Sequence, residues 1–295
     1  MSGRTVHSAI VLLTIGNLLA IFSDIIIKLQ GEAGDLPVLQ FVFMRVLLTV
    51  AILLPLWRHI DADALWRGSR IHAVRAHISM VGLFCMVIAL TTLPLATANA
   101  LFYATPLLVM VLAVVFFGER VTWLSMLAVV SGFAGILVIL RPVELSWAAF
   151  SGVGAALALG TNALLVRKLP AGQSTAHTLV LTHIYALPTA LLLALWEGAD
   201  WDWGLLLAAG GSAVFILGYN TSVLLAYRHV AANQVTSAEY TGLIWAVLFG
   251  WWWFAEVPDL WFVLGSTMIV GPLMALGVVE RRRVRRLREH PQGVA

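Results

Sequence analysis

ATPLLVMVLAVVFFGER, Ala104 to Arg120, runs from a proline through an almost unbroken apolar segment to a glycine, a glutamate and an arginine. A weaker copy, TGLIWAVLFGWWWFAEV, Thr241 to Val257, closes with its own glutamate, so that Glu119 and Glu256 stand at an offset of 137 residues. The same offset relates Tyr103 to Tyr240 and Phe117 to Phe254, and LLPLW at Leu53 to Trp57 echoes LLALW at Leu192 to Trp196.

Composition fixes the class of molecule in which this repetition occurs. The 295 residues are 61% hydrophobic and 11% charged, with a mean hydropathy of +0.93. A soluble globule usually carries roughly 25% charged residues. A bilayer core about 30 Å thick needs about 20 apolar residues per helical span. Ten such spans follow one another: 7–29, 37–58, 73–92, 95–117, 122–141, 147–167, 175–196, 204–227, 233–255 and 260–280. The runs do not alternate polar with apolar, which excludes a transmembrane β-barrel. The expected fold is an all-α polytopic membrane protein, and its short connections leave no room for a soluble catalytic or nucleotide-binding domain.

The first apolar run carries Asp24 and Lys28 and lacks a clear cleavage site, so it reads as a retained helix. Cys85 is the single cysteine, which excludes a disulfide within one chain. Six arginines between Arg281 and Arg288 follow the last span and read as a topology signal or anionic-lipid contact, with no nucleic-acid partner. With the N-terminus in the cytoplasm, fifteen Lys and Arg residues fall inside and only Lys28 and Arg141 outside. The positive-inside rule therefore places both termini in the cytoplasm. Trp147, Trp196, Trp201, Trp203, Trp251, Trp252, Trp253 and Trp261 fall at the expected outer ends and read as an interfacial belt.

Ten spans divide into five and five, and an odd number per half makes the second half enter the membrane from the opposite side. The expected organisation is two inverted five-helix repeats, 1–142 and 143–281, followed by a basic cytoplasmic tail, 282–295. Such halves support alternating access around a substrate near the midplane.

Ala104 to Leu140, with its proline, its Gly-Glu-Arg and its spaced small residues, resembles the fourth and fifth helices of an EamA domain of the drug/metabolite transporter superfamily. Arg45 occupies a place where that family often carries an arginine. The second half departs, with Leu243 in place of Pro106 and Ala255 in place of Gly118. The resemblance implies a bacterial inner-membrane carrier of small metabolites, often an exporter of amino acids. It also covers importers and carriers of drugs or nucleotide-linked sugars.

The residues narrow the cargo. Asn99, Tyr103 and Pro106 share one helix face, as do Thr236, Tyr240 and Leu243 at offset 137. Asn220 in GYNTS and Asn162 in GTN add uncharged hydrogen-bonding groups to a candidate substrate site, and Phe22 and Trp245 supply candidate apolar walls. Such a lining suits a zwitterion, with amino acids, and aromatic or large neutral ones among them, as the expected substrate.

Ionisable groups inside spans cost about 2.5 to 3.5 kcal/mol each and are candidates for coupling or gating. Asp24 and Arg45 are expected to pair across the first hairpin, with Asp24 to Lys28 at i, i+4 as the competing pair. Glu239 has few basic neighbours in sequence and is a candidate to carry a proton or receive a substrate ammonium. His77 and His183 are read as packing residues or relays.

Ala128, Gly132 and Gly135, and Gly152, Ala156 and Gly160, make small faces for close helix approach. No phosphate-binding loop is present, so no ATPase within the chain drives transport. No nucleophile with its base, no H-E-x-x-H pair and no paired aspartates suggest an enzyme, and neither a cofactor nor a metal is expected. A channel would show a continuous polar stripe or a ring of like charge. The expected partners are the substrate and the lipid bilayer, and a monomer suffices.

Overall fold

Lipid supplies no partner for backbone N–H and C=O groups, so long apolar runs close their hydrogen bonds within helices. A computed structural model describes residues 3–59, 67–118, 122–141, 146–170, 173–227, 238 and 240–289. The described residues are all helix and connection, without a strand. The helices are α1 (Gly3–Ala33), α2 (Val38–Leu53), α3 (Ser69–Thr92), α4 (Leu95–Phe102), α5 (Thr105–Phe117), α6 (Trp123–Leu140), α7 (Trp147–Leu165), α8 (Thr175–Glu197), α9 (Leu205–Tyr227), α10 (Thr241–Phe254) and α11 (Leu260–Glu289). Among the described residues, nine stretches are long and apolar enough to cross a membrane, and α10 is a shorter apolar helix. The chain is a multi-pass membrane protein.

Two features differ from the sequence expectation. The fourth span, Leu95–Phe117, is broken by a turn at Tyr103 and Ala104, where Pro106 in the first turn of α5 brings no N–H to the helix ladder. The last helix does not stop at the membrane edge and continues through the arginine run to Glu289. The first part of the expected ninth span lies outside the described residues.

Local chemistry sets the boundaries. Thr122, Ser146 and Ser174 cap α6, α7 and α8 by accepting the N–H of Ser125, Ala149 and His177, and the Asp259 carboxylate accepts the N–H of Phe262 at 2.8 Å at the start of α11. Helix α5 ends at Gly118 in the left-handed region, with φ 63°. At offset 137, α10 ends the same way at Ala255, with φ 52°, although alanine's Cβ disfavours that conformation.

The two halves of the chain interleave. Helix α1 packs on α9, α3 on α7 and α8, and α2 on α8 and α9, while α6 crosses α11. The backbones approach closely at the α6–α11 crossing. A methyl added to Gly265 would lie 2.5 Å from the Gly135 carbonyl oxygen, and one added to Gly135 would lie 2.6 Å from that of Gly265. Beside it the Ser131 hydroxyl donates to the Met268 carbonyl at 3.0 Å. The small residues Gly132 and Gly152 likewise make room for Leu107 and Leu101.

The end of the bundle holding the start of α1 is here the near end, and the opposite end the far end. Trp147, Trp196, Trp203, Trp251, Trp252, Trp253 and Trp261 are exposed around the far end, as an interfacial belt requires.

Two changes test this packing in detergent-solubilised protein. Ala255→Gly relieves the left-handed strain and raises the melting temperature, by up to about 1 kcal/mol of stability after glycine's entropy is subtracted. An unchanged or lower melting temperature would contradict the strain. Gly265→Ala forces α6 and α11 apart and lowers stability by about 1 to 3 kcal/mol, an effect that Ala substitution at the open Gly271 does not reproduce.

Candidate functional site

The break in the fourth span places the Tyr103 side chain at the centre of the bundle. Its ring meets Tyr240 with centroids 5.8 Å apart, and its hydroxyl lies over Gly242, where any Cβ would collide with it. The Asn17 amide of α1 donates to the Ala238 carbonyl at 2.9 Å and to the Thr241 hydroxyl at 3.0 Å, tying α1 to the start of α10.

Around these residues opens a cavity of about 560 Å³ bounded by α1, α2, α3, α4, α5, α7, α8 and α9. It lies within the size range of small-molecule sites. Asn99, Tyr103, Tyr240, Asn162, Asn220, Asp24, Arg45 and His183, all singled out in the sequence, line it together. The lining reaches toward the near end through Arg75, Ser79 and Thr178.

Other expected site residues lie elsewhere. Phe22 packs against Phe215 and Phe249 at 5.6 and 5.3 Å, and Trp245 meets Phe249, four residues on along α10, with tilted rings 6.3 Å apart. Both belong to the packed core beside the cavity and not to its lining, because α10 turns that aromatic face toward α1. His77 is exposed, donates from Nδ1 to the Ala73 carbonyl at 2.7 Å and shares a hydrogen bond of 2.9 Å between Nε2 and the Thr189 hydroxyl, away from the lining. Thr236 and Glu239 lie outside the described residues.

The expected ion pairs of Asp24 also change. The Asn99 amide donates to the buried Asp24 carboxylate at 3.1 Å; Arg45 lies near enough across the cavity to attract Asp24 electrostatically, but among the described residues no direct ion pair joins Asp24 to Arg45 or to Lys28. Lys28 reaches away instead, to the far end, where its Nζ is 2.9 Å from the Glu256 carboxylate and donates to the Leu93 carbonyl at 2.9 Å. The second Glu256 oxygen accepts the Leu95 N–H, at 2.7 Å, at the start of α4. The ammonium also sits 5.2 Å from the centre of the Phe254 ring. A lysine with partners in the other half of the chain has no reason to neutralise its i−4 neighbour.

A second carboxylate works in the same manner at this end. Glu197 accepts the N–H groups of Leu39 and Gln40, at 3.0 and 2.8 Å, in the first turn of α2. The Gln40 side chain donates to the Asp200 carbonyl and accepts the Asp202 N–H. Arg141 pairs with Asp259. Glu256, Arg141 and Asp259 also line a smaller hollow of about 270 Å³ at this end.

Arg75 is a site residue that sequence reasoning counted only among the topology charges. It is 8% exposed, and its Nε donates to Asn162 at 2.7 Å, while the Asn162 amide donates to Ser79. Its place within the first two turns of α3 was the only signal available, and there a cytoplasmic-edge arginine reads the same way.

Comparison with known proteins supplies the family. The model of the EamA-like transporter family matches twice, at residues 7–141 and 146–277. The pseudopaline exporter CntI of Pseudomonas aeruginosa is 29% identical over 286 residues, spanning 90% of this chain and 96% of the relative. The S-adenosylmethionine uptake transporter of Rickettsia conorii is 25% identical over 90% of this chain and 91% of its own. The riboflavin transporter of Vibrio cholerae is 26% identical over 96% of each. A solved crystal structure covering 94% of this chain and 98% of its own superposes with a TM-score of 0.59 at 18% identity, which shows a shared fold. These relatives are transporters, not enzymes, and the chain belongs to the EamA-like transporter family.

Proposed function

We propose that the chain is a secondary carrier of the bacterial inner membrane, with both termini cytoplasmic, that exports small zwitterionic metabolites, amino acids foremost, by alternating access around the central cavity. The observation that carries this reading is a central cavity whose largely apolar lining carries buried amides, hydroxyls and charged groups, with the Lys28–Glu256 pair beyond it at the far end. Its buried amides, hydroxyls and opposite charges suit the ammonium and carboxylate of a zwitterion. Export is the direction of the pseudopaline relative; uptake, as in the S-adenosylmethionine relative, is the alternative.

Alternating access needs two interchangeable halves, and several observations support an inverted repeat of 1–142 with 143–281. The family model fits each half separately. If α1, α2, α3, α4–α5 and α6 correspond to α7, α8, α9, α10 and α11, the packing of α1 on α9 has its mate in α3 on α7, and α2 on α9 in α8 on α3. Gly118 and Ala255 share a left-handed cap. Lys28 over Phe254 has a counterpart in Lys168, which lies 5.4 Å from the centre of the Phe117 ring.

Several packings lack a mate among the described residues, that of α1 on α3 among them. Helix α1 packs on α3, whereas α7 and α9 make no comparable contact among the described residues. In this reading α1 and α3 are drawn together at the far, outer end, where Gly31 lies against Thr91, and the corresponding inner contact is parted. The cavity then faces the cytoplasm, ready to load an export substrate. Glu239, His183 and Asp24 are the proposed groups for any coupling to protons, and a monomer suffices.

Counterflow of labelled amino acids in proteoliposomes of the pure protein tests the carrier. Saturable flux without ATP is expected, and Tyr103→Ala or Tyr240→Ala cuts it at least about tenfold while the protein remains monodisperse. Full flux in both variants would remove the tyrosines from the path. The outer closure is read separately, by labelling Ala96→Cys, in the far-end hollow, with an impermeant thiol reagent in a Cys85→Ser background. Lys28→Gln raises the labelling rate about tenfold by releasing a partly buried ion pair; an unchanged rate would mean that the pair does not hold the outer end shut.

A further inference from the structure

We propose that the cavity selects an amine bearing two anionic groups, one held by Arg45 and the other by Arg75, with Asp24 facing the amine. This rests on the carrier reading and names its substrate class.

The inference starts from what is left unpaired. Arg45 and Arg75 are 6% and 8% exposed, and in each the Nη1 nitrogen is buried without a hydrogen-bond partner. Both line the same cavity. A guanidinium held out of water without a full set of acceptors costs several kcal/mol, so a structure retains one where a ligand completes it. The described lining holds one acid, Asp24, against these two arginines. Asp24 is engaged by Asn99 and leaves both guanidinium groups with donors to spare.

The local geometry aims the donors. Arg75 commits its Nε to Asn162, which is itself braced by Ser79. That fixes the plane of the guanidinium and leaves its outer edge for an incoming oxyanion, the arrangement in which arginine binds a carboxylate or phosphate through two parallel hydrogen bonds. Arg45 enters from α2, and Thr49, which donates to the Arg45 carbonyl at 2.7 Å, lies one turn on in the same wall.

The two arginines differ in depth by about 12 Å at 1.5 Å of helix rise per residue. Even with both side chains reaching inward, the two anionic groups stand several ångströms apart, which describes an elongated amino dicarboxylate better than a compact amino acid. A solute with a single carboxylate satisfies one arginine and leaves the other desolvated. A cation meets two like charges and a single acid.

Carboxylate and phosphate share this recognition, and the choice of probes separates them. Dissociation constants are measured by titration calorimetry on the purified full chain, and counterflow in proteoliposomes, for glutamate, 2-aminoadipate, O-phosphoserine, leucine, succinate and putrescine. The dianionic amines are expected to bind at least about tenfold more tightly than leucine, succinate or putrescine. The stronger of 2-aminoadipate and O-phosphoserine identifies the second anionic group. Arg45→Gln and Arg75→Gln each reduce the preference over leucine about tenfold, and Arg75→Lys restores part of it.

If Arg45→Gln does not yield monodisperse protein, the parent's probe selectivity and the Arg75 variants carry the test. Binding and flux of leucine or putrescine without preference for the dianionic amines would overturn the inference and leave the carrier standing. Succinate binding as tightly as glutamate would remove the amine and Asp24 from recognition. Neither binding nor flux for any probe would overturn the amino-acid carrier reading together with the inference.

Discussion

The structure depends on one constraint: a polar group withdrawn into the bundle must find a partner inside it. The backbone meets this demand by forming helices throughout, and the side chains meet it by reaching across the chain. Asn17 holds the start of α10, Asn99 holds Asp24, Glu197 caps α2 and Glu256 caps α4 while neutralising Lys28. Each contact joins segments far apart in sequence, so polar pairing orders helices that gain no hydrophobic drive from lipid. Among the groups left over after this pairing are the guanidinium nitrogens of Arg45 and Arg75, on which the proposed substrate class rests.

The fold was legible because its signals are long. Stretches of apolar residues, each bounded by a connection, have few alternatives, and the Pro106 to Arg120 stretch carried the family. The broken fourth span was half visible, since a proline was read on a shared face with Tyr103 but not as an interruption. Its cause is a missing donor, which a hydropathy window averages away. The polar stripe Asn99–Tyr103 and the amides Asn162 and Asn220 were found because an uncharged polar group deep in a span has few structural uses.

The remainder of the site depends on distances between spans. Asp24 was expected to seek the nearest cation in sequence, either Lys28 or Arg45, yet Lys28 is claimed by Glu256, a residue read only as the end of a repeat. Arg75 was hidden by its company, because Arg58, Arg67, Arg70 and Arg75 together make a conventional topology signal. Phe22 and Trp245 failed for the opposite reason: aromatic residues are abundant in such a bundle, and nothing in the periodicity separates a wall of the cavity from the packed core beside it. In each case the deciding fact is which helix is the neighbour, and with the halves interleaved that neighbour is rarely the next in sequence.

Two contacts join positions that stand 137 residues apart: the Tyr103 ring with Tyr240, and the Ser131 hydroxyl with the Met268 carbonyl. On the proposed repeat, each of these residues touches its own counterpart, which happens only beside a two-fold axis. When the halves trade roles, contacts far from that axis must be broken on one side and remade on the other, but a contact on the axis maps onto itself. In that proposed mechanism these two pairs act as a fulcrum, contributing equally to both facing states and leaving the ratio of those states to the residues at the rims.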